Sequence, residues 1–178
     1  QYLTEEELDQ FYKKFEGIPI VSLGEAIGDY PAVAMDNHDG IVKLIDHLVE
    51  VHGYQKIGFI RGPEYHEASE ERYAGYLAGI KKHNLPFEPR LVSQPRLISE
   101  GNGVKALADF LDDLQLKPKD DIEALVCVSD RVALGAIKEL MRRGIKVPDQ
   151  IGVVGFNNKN ESRMTNPSIT TIDPQLPF

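Results

Sequence analysis

The chain has 178 residues, 42% hydrophobic and 27% charged, the balance of a globular protein with a packed core and not of a disordered one. A formal net charge of −8 argues against a free-standing nucleic-acid binder, which needs a basic face to displace counterions from phosphates. Its single cysteine, Cys127, sits in an apolar run and reads as a small buried hydrophobe, which leaves no intrachain disulfide.

From the N-terminus, Thr4-Glu5-Glu6-Glu7 is a capping-box start that predicts a helix through Leu8, Phe11 and Phe15. Strands are expected at Ile18–Leu23 and Ala32–Met35, followed by a helix with Ile41, Leu44, Ile45 and Leu48 on one stripe, capped by Asp36 or Asn37 and stopped by Gly53. A strand at Lys56–Ile60 leads to a helix with Tyr73, Tyr76, Leu77 and Ile80 inward. A weaker strand near Leu91–Ser93 leads to a helix from about Ser99, with Val104, Leu107, Ala108 and Leu111 inward. The strand Ala124–Val128 precedes a helix after Asp130 that ends near Gly144, and strands at Ile151–Phe156 and Ile169–Ile172 close the pattern. Strand-length apolar runs alternating with helical periods predict an α/β fold, a doubly wound, mostly parallel sheet flanked by helices. No run approaches the ~18 apolar residues of a membrane span.

The break in this alternation is the Gly-rich loop Gly24 to Pro31. It divides the chain into a fragment of one lobe, residues 1–29, and a nearly complete second lobe, residues 30–171, with 172–178 starting the return. The absence of an initial Met and the ending on Pro177-Phe178 fit the expectation that this is a piece of a longer protein.

Ligands of open parallel sheets bind beyond the carboxyl ends of the strands. The loops there carry Arg61 to Ser69, Gln94-Pro95-Arg96, Ser129-Asp130 and Asn157 to Asn160, a set of amide, hydroxyl and guanidinium groups suited to a small polar solute. Arg72 lies near a helix start, where a cation needs a partner: a ligand, or Glu70 or Glu71. Asp130 is either a helix N-cap or a contact, and His66 either a solvated loop residue or a contact. Asp36-Asn37-His38-Asp39 is explained by helix capping, and the five histidines show no zinc-type spacing, so no metal or cofactor is expected. Ser22-Leu23-Gly24-Glu25 is no nucleophile elbow and Gly101-Asn102-Gly103 no phosphate loop, so no enzyme is expected.

Several segments, taken together, resemble the lac repressor and purine repressor family. They are Val33 to Asn37, His52 to Pro63, Arg72 to Tyr76, Val128 to Ala136, Val147 to Asn157 and Asn166 to Asp173. The resemblance implies a type I periplasmic-binding-protein-like effector domain of two lobes, here essentially one lobe plus part of the other, closing on a small molecule. It implies ligand contacts at Arg72, Ser129 and Asn157, the last where the family often has an aspartate, and sets Arg96 where an aromatic ring often stacks. Asp130 and His66 complete the candidate ligand set, for a sugar-like or an acidic molecule. DNA would be bound only through a domain absent from this chain.

The helix after Asp130 carries more apolar residues than one stripe needs. With a family position matching Met164, this points to a homodimer through Leu134, Ile137, Met141 and Met164, against simple burial under a neighbouring helix. The expectation is therefore a cytoplasmic, ligand-sensing domain of a transcriptional regulator or signalling protein. The alternative is a solute-binding protein of a transport system.

Overall fold

The computed structural model describes residues 4–15, 17–24 and 29–175, whose contacts fall into two compact units, Gln1–Met35 and Asp36–Phe178. Of the expected loop Gly24 to Pro31, residues 25–28 lie outside the described residues, as do 176–178 at the expected return.

In the smaller unit, α1 (Glu5–Lys13) opens with the expected capping box. The Thr4 hydroxyl accepts from the Glu7 amide at 3.2 Å, and the Glu7 carboxylate accepts from the Thr4 amide at 2.8 Å. Parallel strands β1 (Ser22–Leu23) and β2 (Ala32–Val33) pair Ser22 with Ala32. Both are shorter than the sequence suggests. The Ile18 amide is spent on the Phe15 carbonyl at 3.0 Å, and Pro19 has no N–H to offer a ladder.

The larger unit holds β3 (Ile57–Ile60), β4 (Ala124–Cys127), β5 (Gly152–Phe156) and β6 (Thr170–Ile172), hydrogen-bonded in that order and all parallel. Every residue of β3, β4 and β5 is buried, as in a sheet covered on both faces. The cover is two helix pairs, α2 (Asn37–Glu50) on α3 (Glu67–Lys82) and α4 (Glu100–Ala108) on α5 (Asp130–Arg142). A short α6 (Asn160–Met164) precedes β6. The expected α/β architecture is thus present.

Local departures have physical causes. The weak strand near Leu91–Ser93 is instead a 3-10 turn at Pro89–Leu91, started by Pro89, followed by one bridge between Val92 and Phe59. On α3, Tyr76 and Ile80 are buried, but Leu77 is exposed and the inward face is completed by Gly75 and Gly79. Past α4 the chain widens into a π-helical turn at Asp109–Asp113, where Phe110 is buried and Leu111, as expected, packs against the core while half-buried.

The expectation for α5 needs the largest correction. Ile137 is 2% exposed and lies in the core with Val132, Ala133, Ala136 and Leu140, so it offers no surface to a second copy. The cause is close approach of α4. A Cβ on Gly103 would strike the Val132 carbonyl oxygen, and one on Gly135 would strike that of Glu100. The two glycines let the helix backbones touch, so the wide apolar arc of α5 is shared between the sheet and α4. Gly103 is a packing residue of this crossing.

Candidate ligand site

The side chain best placed by the fold is Arg72, on α3 and 4% exposed. Its Nε donates to Asn37 Oδ1 at 2.8 Å, its Nη1 to the Val128 carbonyl at 2.7 Å, and its Nη2 to Asn157 Oδ1 at 3.4 Å. The guanidinium carbon lies 3.9 Å from the centre of the Phe156 ring. Asn37 in turn donates to Glu71 at 2.7 Å, so the chain of bonds runs from a carboxylate on α3 through Asn37 and Arg72 to the end of β5. Burial pushes the guanidinium down to about 10, opposed by the Glu71 and Asp130 charges, and it stays a cation at neutral pH. Of the two partners foreseen for Arg72, Glu71 acts through Asn37, while Glu70 pairs with Arg61 at 2.8 Å.

Ser129, not Asp130, is the N-cap of α5, its hydroxyl accepting from the Val132 amide at 3.4 Å. Asp130 is the first residue of the helix and is 1% exposed. One oxygen accepts from the Thr171 hydroxyl at 2.6 Å and the other from the Lys159 amide at 2.7 Å. Burial raises its pKa, and these two bonds and Arg72 oppose the rise. Asp130 therefore braces the loop after β5 against β6. That loop turns on Asn157 and Asn158, both at positive φ, a conformation that asparagine tolerates better than most residues.

Ser129, Asp130 and Asn157 line a cavity of about 710 Å³ at the carboxyl ends of β4 and β5, with Arg131, Lys159 and Glu161 among its other polar residues. Two expected contacts are placed elsewhere. Arg96 bonds Asp109 at 2.6 Å and does not line this cavity. His66 is the N-cap of α3, its Nδ1 accepting from the Ser69 amide at 3.3 Å, so helix capping accounts for it. Sequence reasoning missed the service of Asn37 to Arg72, because a residue at a helix start reads as a cap. It also passed over Arg131 and Glu161, which carry no sequence signal beyond lying next to residues already chosen, whereas Lys159 falls in the loop expected after β5.

A family profile described as a periplasmic binding protein-like domain matches residues 45–178. The chain belongs to that family. Among its relatives is the HTH-type transcriptional repressor CytR of Escherichia coli strain K12, 31% identical over 81% of this chain and 40% of that protein. Another is the NTD biosynthesis operon regulator NtdR of Bacillus subtilis strain 168, 31% identical over 95% of this chain and 50% of that protein. The chain spans about half the length of the curated relatives it matches. Among solved structures, a LacI-type transcription regulator from Bifidobacterium animalis superposes with a TM-score of 0.75 at 31% identity, covering 90% of this chain and 59% of that one. A LacI-family sugar-binding regulator from Escherichia coli gives 0.83 at 24% identity over 97% and 60%, a likeness of fold. The resemblance to the lac and purine repressor group is borne out. No described helix is long and apolar enough to cross a membrane.

Proposed function

We propose that this chain is the effector-binding part of a transcriptional regulator, a sensor and not an enzyme, which takes a small polar molecule at the carboxyl ends of β4 and β5. The observation that carries the reading is the Arg72–Asn157 pair beside the cavity that Ser129 and Asn157 line. At 3.4 Å the Nη2 contact is the longest of the three that Arg72 makes, and so the one a ligand oxygen replaces most readily. A guanidinium with an amide and a hydroxyl suits a sugar-like or an acidic solute. Arg96 and His66 lie outside the cavity lining and both carboxylate oxygens of Asp130 are taken, whereas the Ser129 hydroxyl can still donate and the long Arg72–Asn157 contact can open, so the reading rests on Arg72, Ser129 and Asn157. The names of the relatives support regulation of transcription, with DNA bound by a part outside this chain and the whole working in the cytoplasm.

Self-association completes the proposal. Met141 is 59% exposed and Met164 82%, and of the four expected contacts these two remain available to a second copy, since Ile137 is in the core and Leu134 lines the cavity given to the ligand.

The test is a thermal-shift screen of sugars, nucleobases and organic acids on the full chain, repeated on Arg72→Gln and Asn157→Ala. The expected result is a hit whose shift disappears in both variants. A hit that stabilises both variants as much as the parent overturns the assignment.

A further inference from the structure

At the other end of the sheet, before β3, His47 in the last turn of α2 meets His52 in the following loop. Their Nε2 atoms are 3.2 Å apart, and the rings meet nearly edge-on, 86° between planes. His52 also stacks on Tyr54, with ring centres 5.6 Å apart. Among the described residues neither imidazole bonds a carboxylate, and the only hydrogen bond either ring makes is to the other. His47, His52 and Tyr54 line a cavity of about 170 Å³ together with Ser168 and Thr170.

We propose that His47 and His52 form a two-imidazole site for a divalent transition-metal ion of the zinc, nickel and copper class. Imidazole nitrogens sit ~2.0–2.1 Å from zinc, and two of them on one tetrahedral ion lie ~3.3–3.4 Å from each other. The observed 3.2 Å needs little adjustment to reach that separation. Neutral imidazole is the donor these ions prefer among side chains that stay uncharged, and His52 is exposed, so an ion can approach without losing all its water. Water fills the remaining positions. A separation of five residues matches no zinc-type spacing, and the two rings meet where α2 ends in a turn with Gly53 at a φ of 71°.

A second cluster, Asp46, Glu50 and His83, has its donor atoms within 4.8 Å of one another. There the Lys82 ammonium already bonds both oxygens of Asp46, at 2.8 and 2.7 Å. His83 Nε2 lies 2.7 Å from the same carboxylate, a hydrogen-bond length too short for two ligands of one ion. That cluster is an ion-pair network.

Titration calorimetry of the full 178-residue chain with zinc chloride, and separately with nickel chloride, tests the site. Saturable binding of one ion is expected, weakened at least tenfold in His52→Gln and in His47→Gln, and unchanged in His83→Gln. His52 is exposed, so its variant keeps the test meaningful if the half-buried His47 variant folds poorly. Binding that survives His52→Gln, or that disappears in His83→Gln, overturns the proposal. So does the absence of binding at millimolar metal, which leaves the two rings as a hydrogen-bonded pair only.

Discussion

Arg72 and Asn157 stand 85 residues apart in the chain and 3.4 Å apart in the fold, where Nη2 meets Oδ1. The same guanidinium holds Asn37 and the Val128 carbonyl, so it ties α2, α3 and the ends of β4 and β5 together. Arg72→Gln strands buried acceptors and is expected to cost about 2 kcal/mol of stability, within the range for groups left unsatisfied. Urea unfolding of parent and variant measures it, and a loss under about 0.5 kcal/mol would sink the structural half of this role.

The helix crossing at Gly103 makes a second prediction. Gly103→Ala puts a methyl group against the Val132 carbonyl, where only backbone could give way. Overpacking of this kind costs about 1–3 kcal/mol, so the melting temperature should drop by several degrees. Gly101→Ala is the control. A Cβ there meets nothing, and its melting temperature should hold or rise.

Glu139 supplies a dependence on pH. It is 5% exposed, and hydrogen bonds from Arg142 and then Arg143 pull its carboxyl down to about 2. A depressed pKa in the folded state means stability that is present above the ordinary carboxylate range and lost as pH falls toward 2. Glu139→Gln should therefore be less stable than the parent at pH 7, with the difference closing between about pH 4.5 and 2. Denaturant midpoints at several pH values give the answer, and a gap that stays constant contradicts it.

For self-association, the buried position of Ile137 changes the choice of variant. A charge there would unfold the core, whereas Met141→Lys with Met164→Glu alters exposed side chains. If the parent is a dimer in sedimentation velocity, the pair of changes should give a folded monomer with an unaltered circular dichroism spectrum. A parent that sediments as a monomer at high micromolar concentration removes the interface.

Much of this fold is legible in sequence because its signals are local. The apolar runs of β3, β4 and β5 are continuous and the stripe of Ile41, Leu44, Ile45 and Leu48 has helical period, and all of these residues are buried. What was hidden depends on partners distant in sequence. Ile137 reads as surplus until Gly103 brings α4 against α5, and Asn37 reads as a cap until Arg72 arrives from α3. Asp130 and Ser129 were confused because both residue types cap helices, and only the bonds to Thr171 and Lys159 separate their duties.

The spatial order of β3 to β6 is also their order along the chain. Each of these strands after the first emerges during synthesis next to a neighbour already made, so the sheet can be laid down one course at a time. The Asp130 brace needs Thr171, and the Asn157 backbone amide needs the Ile172 carbonyl, both on β6. Until β6 docks, the chain therefore has most of the core built on β3 to β5 but lacks the bonds that hold the loop beside Arg72.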